Sequence, residues 1–181
     1  MKSFKIGNFL FNKNSNPYLI AELSSNHMGS LNKTLKLIKE IKKSGAHAIK
    51  LQTYTEDTMT INSNKKEFVI KDGIWKNYNL YKLYAEAKTP WSWYDKIFKY
   101  CQKLQITCFS TPFDETSVNF LERYNVPAYK IASYEIVDLP LIRYVAKKKK
   151  PIILSTGMAN FDEISRAIKT IKKTGNHKII V

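Results

Sequence analysis

Short apolar runs alternate along this chain with longer stretches whose apolar residues recur at helical spacing. The runs fall at residues 18–22, 47–52, 106–109, 128–132, 152–154 and 178–181. Between them, Leu31, Leu35, Ile38 and Ile41 form one helical stripe, opened by Ser30 as an N-cap and closed by Gly45. A second helix is predicted over residues 90–104, with Trp93, Ile97, Tyr100 and Leu104 on its buried face. A third begins near Asp114 and uses Val118, Leu121 and Tyr124. A fourth starts at Asp138, with Pro140 tolerated in its first turn. The fifth starts at Asn160, buries Ile164, Ala167, Ile168 and Ile171, and stops at Gly175. Ahead of all this, residues 3–6 and 9–11 flank Gly7-Asn8 and predict a small hairpin covering the closed end of the fold. Residues 1–17 are therefore set apart as a hairpin and loop, and residues 18–181 as the main body.

Strand followed by helix, repeated, calls for a parallel sheet covered by helices. A doubly wound open sheet and a (β/α)8 TIM barrel share this pattern. The barrel is favoured because no glycine-rich phosphate loop follows the first strand and because polar residues recur after every strand, not at one crossover. The expected fold is thus α/β, of the TIM-barrel type, incomplete at about six strand–helix units; a closed barrel usually needs about 250 residues and this chain has 181. The connection over residues 53–89 is too long for an ordinary strand–helix link. It is rich in aromatic residues and contains a short helical pattern near 80–88. It reads either as a substrate-facing excursion or as one that simply packs on the body.

With 44% hydrophobic residues the chain can build one sizeable core. No apolar stretch reaches the roughly 20 residues of a membrane span, and the N-terminus lacks the apolar region of a signal peptide. The expectation is a cytoplasmic protein without a membrane partner. Cys101 and Cys108 have no metal-binding spacing and are expected to be reduced, packed thiols. The formal net charge of +15 raises nucleic-acid binding as a reading. Its lysines are spread over helix exteriors, however, with one run at 147–150, so solvated helix faces account for the charge and no nucleic-acid partner is expected.

The candidate chemistry sits where strands end. Glu22 closes an apolar strand, where an unpaired carboxylate would be costly to bury; Lys50 on the next strand is its expected partner, either in a plain ion pair or in an acid/base site. Lys50 and Lys130 are lysines inside strands expected to be covered on both faces. Thr111, Ser133 and Ser155 add hydroxyls on later strand ends. Two ammonium groups with three hydroxyls suit a phosphate and a carboxylate. In the first loop, Asn26 and His27 are weaker candidates for contacting a substrate, whereas His47 and His177 read as structural and solvated. No histidine pair has a chelating spacing.

Five blocks in this order resemble the sialic acid synthase family: Ile20-Ala21-Glu22-Leu23-Ser24-Ser25-Asn26-His27, Ile49-Lys50-Leu51-Gln52-Thr53, Phe109-Ser110-Thr111-Pro112-Phe113, Ala128-Tyr129-Lys130-Ile131-Ala132-Ser133 and Leu154-Ser155-Thr156-Gly157-Met158. Gly73-Ile74-Trp75, Leu80-Tyr81-Lys82-Leu83-Tyr84 and Ala87-Lys88-Thr89-Pro90 are most similar to its pseudaminic acid synthase branch. The resemblance implies a (β/α)8 barrel followed by a small antifreeze-like domain. It also implies condensation of phosphoenolpyruvate with an N-acetylated amino sugar to a nine-carbon acidic sugar, with release of phosphate. It implies Lys50, Thr111, Lys130, Ser133 and Ser155 around phosphoenolpyruvate, Glu22 near the reacting enol carbon, a divalent metal (Mn2+ or Mg2+) and a homodimer. The family's metal-binding histidines lie on later strands, and no metal ligand is assigned in residues 1–181. The expectation is therefore the N-terminal part of a synthase, inactive alone. N-acetylneuraminate synthase chemistry and a non-catalytic remnant are the alternatives.

Overall fold

The computed structural model of the chain describes residues 3–181; Met1 and Lys2, within the N-terminal segment set apart above, lie outside the described residues. A hairpin of β1 (Phe4–Ile6) and β2 (Phe9–Phe11) comes first, antiparallel about Gly7-Asn8. Six strands then pair in parallel in chain order: β3 (Ile20–Glu22), β4 (Ala48–Thr53), β5 (Thr107–Pro112), β6 (Tyr129–Ile131), β7 (Ile152–Leu154) and β8 (Ile179–Ile180). Each pair of successive strands is joined through helix, as in an unfinished strand–helix barrel. The order in space is the order in the chain, with no switch point, which rules out the doubly wound alternative.

The helices begin where sequence chemistry starts them. Helix α1 (Leu31–Lys43) is capped by Ser30, whose hydroxyl accepts from Lys33 N, and it ends in Lys42 and Lys43 before Gly45 at φ +85°. Between β4 and β5 come α2 (Glu56–Met59), a 3-10 turn at Lys66–Phe68, α3 (Leu80–Ala87), another 3-10 turn at Trp91–Trp93, and α4 (Tyr94–Lys103). Helix α5 (Glu115–Glu122) is capped by Asp114, and α6 (Leu139–Lys147) by Asp138 with Pro140 in its first turn. Helix α7 (Phe161–Lys173) opens with a reciprocal pair: Glu163 N donates to the Asn160 side chain at 2.9 Å and Asn160 N to the Glu163 carboxylate at 2.8 Å.

Strand alternation sorts the residues into two faces. Ile49 and Leu51, Cys108 and Ser110, Tyr129 and Ile131, and Ile152 and Leu154 share the face covered by helices, and all are buried. Ile38, Ile97, Leu121, Ile142 and Ile171 meet them from the helix side and are fully buried. Each such side chain contributes about 1.5–3 kcal/mol by leaving water. The other face is the concave inner one, carrying Glu22, Lys50, Gln52, Thr111, Lys130 and Ile153.

Several expectations are corrected in detail. Strand β5 runs further than its apolar run suggests, to Pro112, so Thr111 lies within the strand and not after it, while Lys50 lies within β4 as expected. The buried face of α4 is Tyr94, Ile97 and Cys101, whereas Trp93, Tyr100 and Leu104 are only half-buried. The Tyr94 hydroxyl makes burial possible by donating to Gln52 O at 2.9 Å and pairing with Thr53 Oγ1 at 2.8 Å. Cys101 and Cys108 are free and buried. The hairpin packs against the N-terminal ends of β4 and β5: a side chain at Gly7 would collide with Thr107, and the Phe9 and His47 rings meet at 5.2 Å. His47 is structural there, its Nδ1 accepting from Leu19 N at 2.9 Å. No helix among the described residues is long and apolar enough to cross a membrane.

Candidate functional site

The register of the sheet assembles the inner-face cluster. Glu22 pairs with Lys50 across β3 and β4, and Gln52 with Thr111 across β4 and β5. One step beyond the Ser110–Tyr129 pair, Thr111 comes beside Lys130. Four consecutive strands thus place a carboxylate, an ammonium, a hydroxyl and a second ammonium next to one another. Lys50 Nζ forms an ion pair with Glu22 and donates to Thr111 Oγ1 at 3.3 Å. The Ser24 hydroxyl donates to the other Glu22 oxygen at 2.8 Å, so both carboxylate oxygens are held. Glu22 is more open than expected, at 43% side-chain exposure against 14% for Lys50, because β3 has one sheet neighbour among the described residues. An exposed pair of this kind adds little stability; its effect is to aim and balance the Lys50 charge.

Lys130 is half-buried and donates to Ile131 O at 2.8 Å. Burial, and then the neighbouring Lys50 charge, pull its pKa down to about 8, while Glu22 and Glu135 oppose the fall. Ser133 and Ser155 follow β6 and β7. Ser155 N donates to Ile131 O at 3.1 Å, and a Cβ at Gly157 would stand 3.0 Å from Ser133 Oγ. The two serine loops are therefore packed together, and Gly157 is what lets them approach.

Two residues in this neighbourhood escaped the sequence reading. Gln52 stands two positions after Lys50 on the same face, and strand alternation alone could have found it. Glu135 follows Ser133 by two residues. Its Oε2 is buried without a partner, and burial raises its pKa. An acid placed just beyond a strand-end serine was the available signal.

The first loop divides its two candidates. Asn26 is exposed at the mouth. His27 is 1% exposed and turned inward: Nδ1 accepts from Gly29 N at 3.0 Å, Nε2 lies 3.3 Å from Ala87 O, and the ring meets Trp93 edge-on. Burial lowers its pKa, keeping the ring neutral. These contacts tie the loop after β3 to α3. Tyr54 edges onto Tyr84 and Phe113, so the 53–89 excursion is anchored at the same mouth as the cluster. The Lys88–Glu56 ion pair and the Tyr81–Asp57 hydrogen bond at 2.8 Å hold it together.

This arrangement can bind a compact dianion against hydroxyls, with a carboxylate at its edge. The sequence pattern of the NeuB family matches residues 37–181. The chain belongs to the NeuB family. The match spans α1 to β8 and includes Lys50, Thr111, Lys130, Ser133 and Ser155. The chain is 48% identical over 176 residues to a pseudaminic acid synthase of Campylobacter jejuni, an alignment covering 97% of this chain and 51% of that protein. It is 45% identical over 163 residues to a pseudaminic acid synthase of Helicobacter pylori, covering 90% and 48%. Its fold superimposes on the crystal structure of the N-acetylneuraminic acid synthetase of Leptospira borgpetersenii, solved in complex with citrate. The TM-score is 0.84 at 29% identity, covering 98% of this chain and 57% of the other. The chain spans about half the length of the curated relatives it matches.

Among the described residues, no group of three or more His, Cys, Asp or Glu side chains comes together so as to hold a metal ion.

Proposed function

We propose that residues 1–181 form the phosphoenolpyruvate-binding side of a pseudaminic acid synthase-type active site. The observation that carries the reading is the pair of strand-borne ammonium groups, Lys50 and Lys130, with the Thr111 hydroxyl between them on one sheet face. Phosphoenolpyruvate presents a phosphate and a carboxylate. Lys50, Thr111 and Lys130 supply charge and donors for one group, and the packed Ser133 and Ser155 loops supply donors for the other. Identities of 48% and 45% to proteins named as pseudaminic acid synthases support an N-acetylated amino sugar as the acceptor.

In this reading the enol C3 of phosphoenolpyruvate attacks the sugar aldehyde. The new carbon–carbon bond takes the C2–C3 electron pair, the aldehyde oxygen takes a proton, and positive charge develops at C2. Glu22, with both oxygens held and Lys50 beside it, stabilises that charge. Water then adds at C2 and gives up a proton; the C2–O bond to phosphate breaks, phosphate leaves with its electron pair, and the new C2 hydroxyl loses its proton to become the keto group of the acidic sugar. The exposure of Asn26 in the first loop supports its contact with the sugar.

The test is calorimetric titration of the 181-residue chain with phosphoenolpyruvate. Saturable binding is expected, weakened about tenfold or more by Lys50→Ala and by Lys130→Ala. Absence of binding, or binding indifferent to both changes, overturns the reading in favour of a non-catalytic remnant.

A further inference from the structure

The chain leaves β3 through a tight turn over residues 23–26, closed by Asn26 N donating to Leu23 O at 2.9 Å. Ser24 takes the first central position of that turn, with φ at +42°. Left-handed backbone at such a position suits glycine, asparagine or aspartate, whereas serine adopts it at a cost. A residue needed only to turn the chain would be one of those three.

The turn is held from both ends. Leu23 is 1% exposed, and its N–H donates to Lys50 O at 3.0 Å, which extends the pairing of β3 with β4 by one residue. His27 is equally buried and holds Gly29 N. Ser24 therefore keeps its strained conformation because its neighbours impose it. Strain kept in this way collects at functional sites.

What serine supplies here and glycine does not is a hydroxyl. It donates to Glu22 Oε1 at 2.8 Å, while Lys50 Nζ pairs with Oε2. Among the described residues these two contacts are the ones that hold the carboxylate. In an open position such contacts add little stability, so their effect lies in orientation. Without the hydroxyl, Oε1 is free to turn to Lys50 as well. Lys50 would then face both oxygens, and its long bond to Thr111 Oγ1, at 3.3 Å, would be the one to give way.

We propose that Ser24 is a positioning residue: its hydroxyl keeps the Glu22 carboxylate shared between Ser24 and Lys50, which leaves the Lys50 ammonium a donor for Thr111 and for an anion beside it. The consequence for anion binding rests on the phosphoenolpyruvate reading; the orientation of Glu22 does not.

The test compares the 181-residue chain with Ser24→Gly and Ser24→Asn. Glycine relieves the backbone and removes the hydroxyl. Asparagine also tolerates the left-handed conformation and restores a donor. Three-bond NMR couplings of Glu22 read its side-chain rotamer, urea unfolding reads stability, and calorimetry reads phosphoenolpyruvate binding. One Glu22 rotamer is expected in the unaltered chain and an average over several in Ser24→Gly, with a urea midpoint no lower than before. Affinity for phosphoenolpyruvate should fall about fivefold in Ser24→Gly and return in large part in Ser24→Asn. Glu22 couplings unaltered in Ser24→Gly overturn the inference. So does an affinity that Ser24→Gly leaves unchanged, or one that falls only together with the urea midpoint. If the unaltered chain does not bind phosphoenolpyruvate, the functional reading fails by itself, and the Glu22 couplings alone decide whether Ser24 positions the carboxylate.

Discussion

At the residue scale, Lys130 is the side chain whose charge depends most on its surroundings. Burial and Lys50 together hold its pKa at about 8, against 10.5 for a free lysine. Lys130 is charged in the folded protein below about pH 8 and neutral above it. Anion affinity should therefore fall as pH rises through that value, and binding above it should take up a proton, because a bound phosphate favours the charged form. Calorimetric titrations of phosphoenolpyruvate at pH 7 and pH 9, in buffers of different ionisation enthalpy, would show both effects. A pH-independent affinity that vanishes only in Lys50→Ala would assign the work to Lys50 alone. For stability the sign is opposite: between about pH 8 and 10.5 the unfolded chain holds more protons at this position, so the Lys130 contribution to stability rises with pH across that window. The Glu22–Lys50 contact was legible in the sequence because charges inside apolar strands need partners, and the register supplies one. The inward turn of His27 was not legible. It depends on Ala87, far along the chain, coming back over the first loop, and no local pattern encodes that return.

At the element scale, the junction between α4 and the sheet rests on a buried polar triad. Thr53 Oγ1 lies 2.6 Å from Ser110 Oγ and 2.8 Å from Tyr94 Oη, and Tyr94 also donates to Gln52 O. These bonds lock β4 to β5 just behind Gln52 and Thr111, so they set the spacing of the inner-face donors. Tyr94→Phe keeps the ring and removes the hydroxyl, leaving Gln52 O and the Thr53–Ser110 pair with one partner fewer. A loss of about 1–2 kcal/mol of stability is expected in urea unfolding. An unchanged midpoint would mean that water replaces the hydroxyl at no cost. The apolar periodicity of residues 90–104 identified the helix and the side that meets the core, and missed Tyr94 and Cys101 as its most buried members beside Ile97. Tyr94 is buried completely because the Gln52 and Thr53 groups that satisfy its hydroxyl come from a strand far back in the chain. The helix starts, by contrast, were written locally, in Ser30, Asp114, Asp138 and Asn160, and the structure uses all four.

At the scale of the whole molecule, two forces act on the open sheet in opposite directions. Strands β3 and β8 each have one neighbour among the described residues, and Leu19, Ile20 and Val181 are exposed beside those edges. Unpaired strand edges with apolar side chains invite pairing with another chain. The net charge of +15 resists that association by long-range repulsion, which weakens once salt shortens the screening length to about 10 Å at 0.1 M. The 181-residue chain should therefore sediment as a monomer at low ionic strength and associate increasingly as sodium chloride is raised. Ile20→Lys puts a charge on the β3 edge and, on this account, reduces association at every salt concentration while leaving the core untouched. Association that instead weakens with salt would show that ion pairs, not strand edges, join the copies. The same edges explain why the cluster lies on an open face. Glu22, on β3, is exposed on the side where a closed barrel would place further strands, and Lys130, four strands in, is the member that burial has reached far enough to titrate near neutrality.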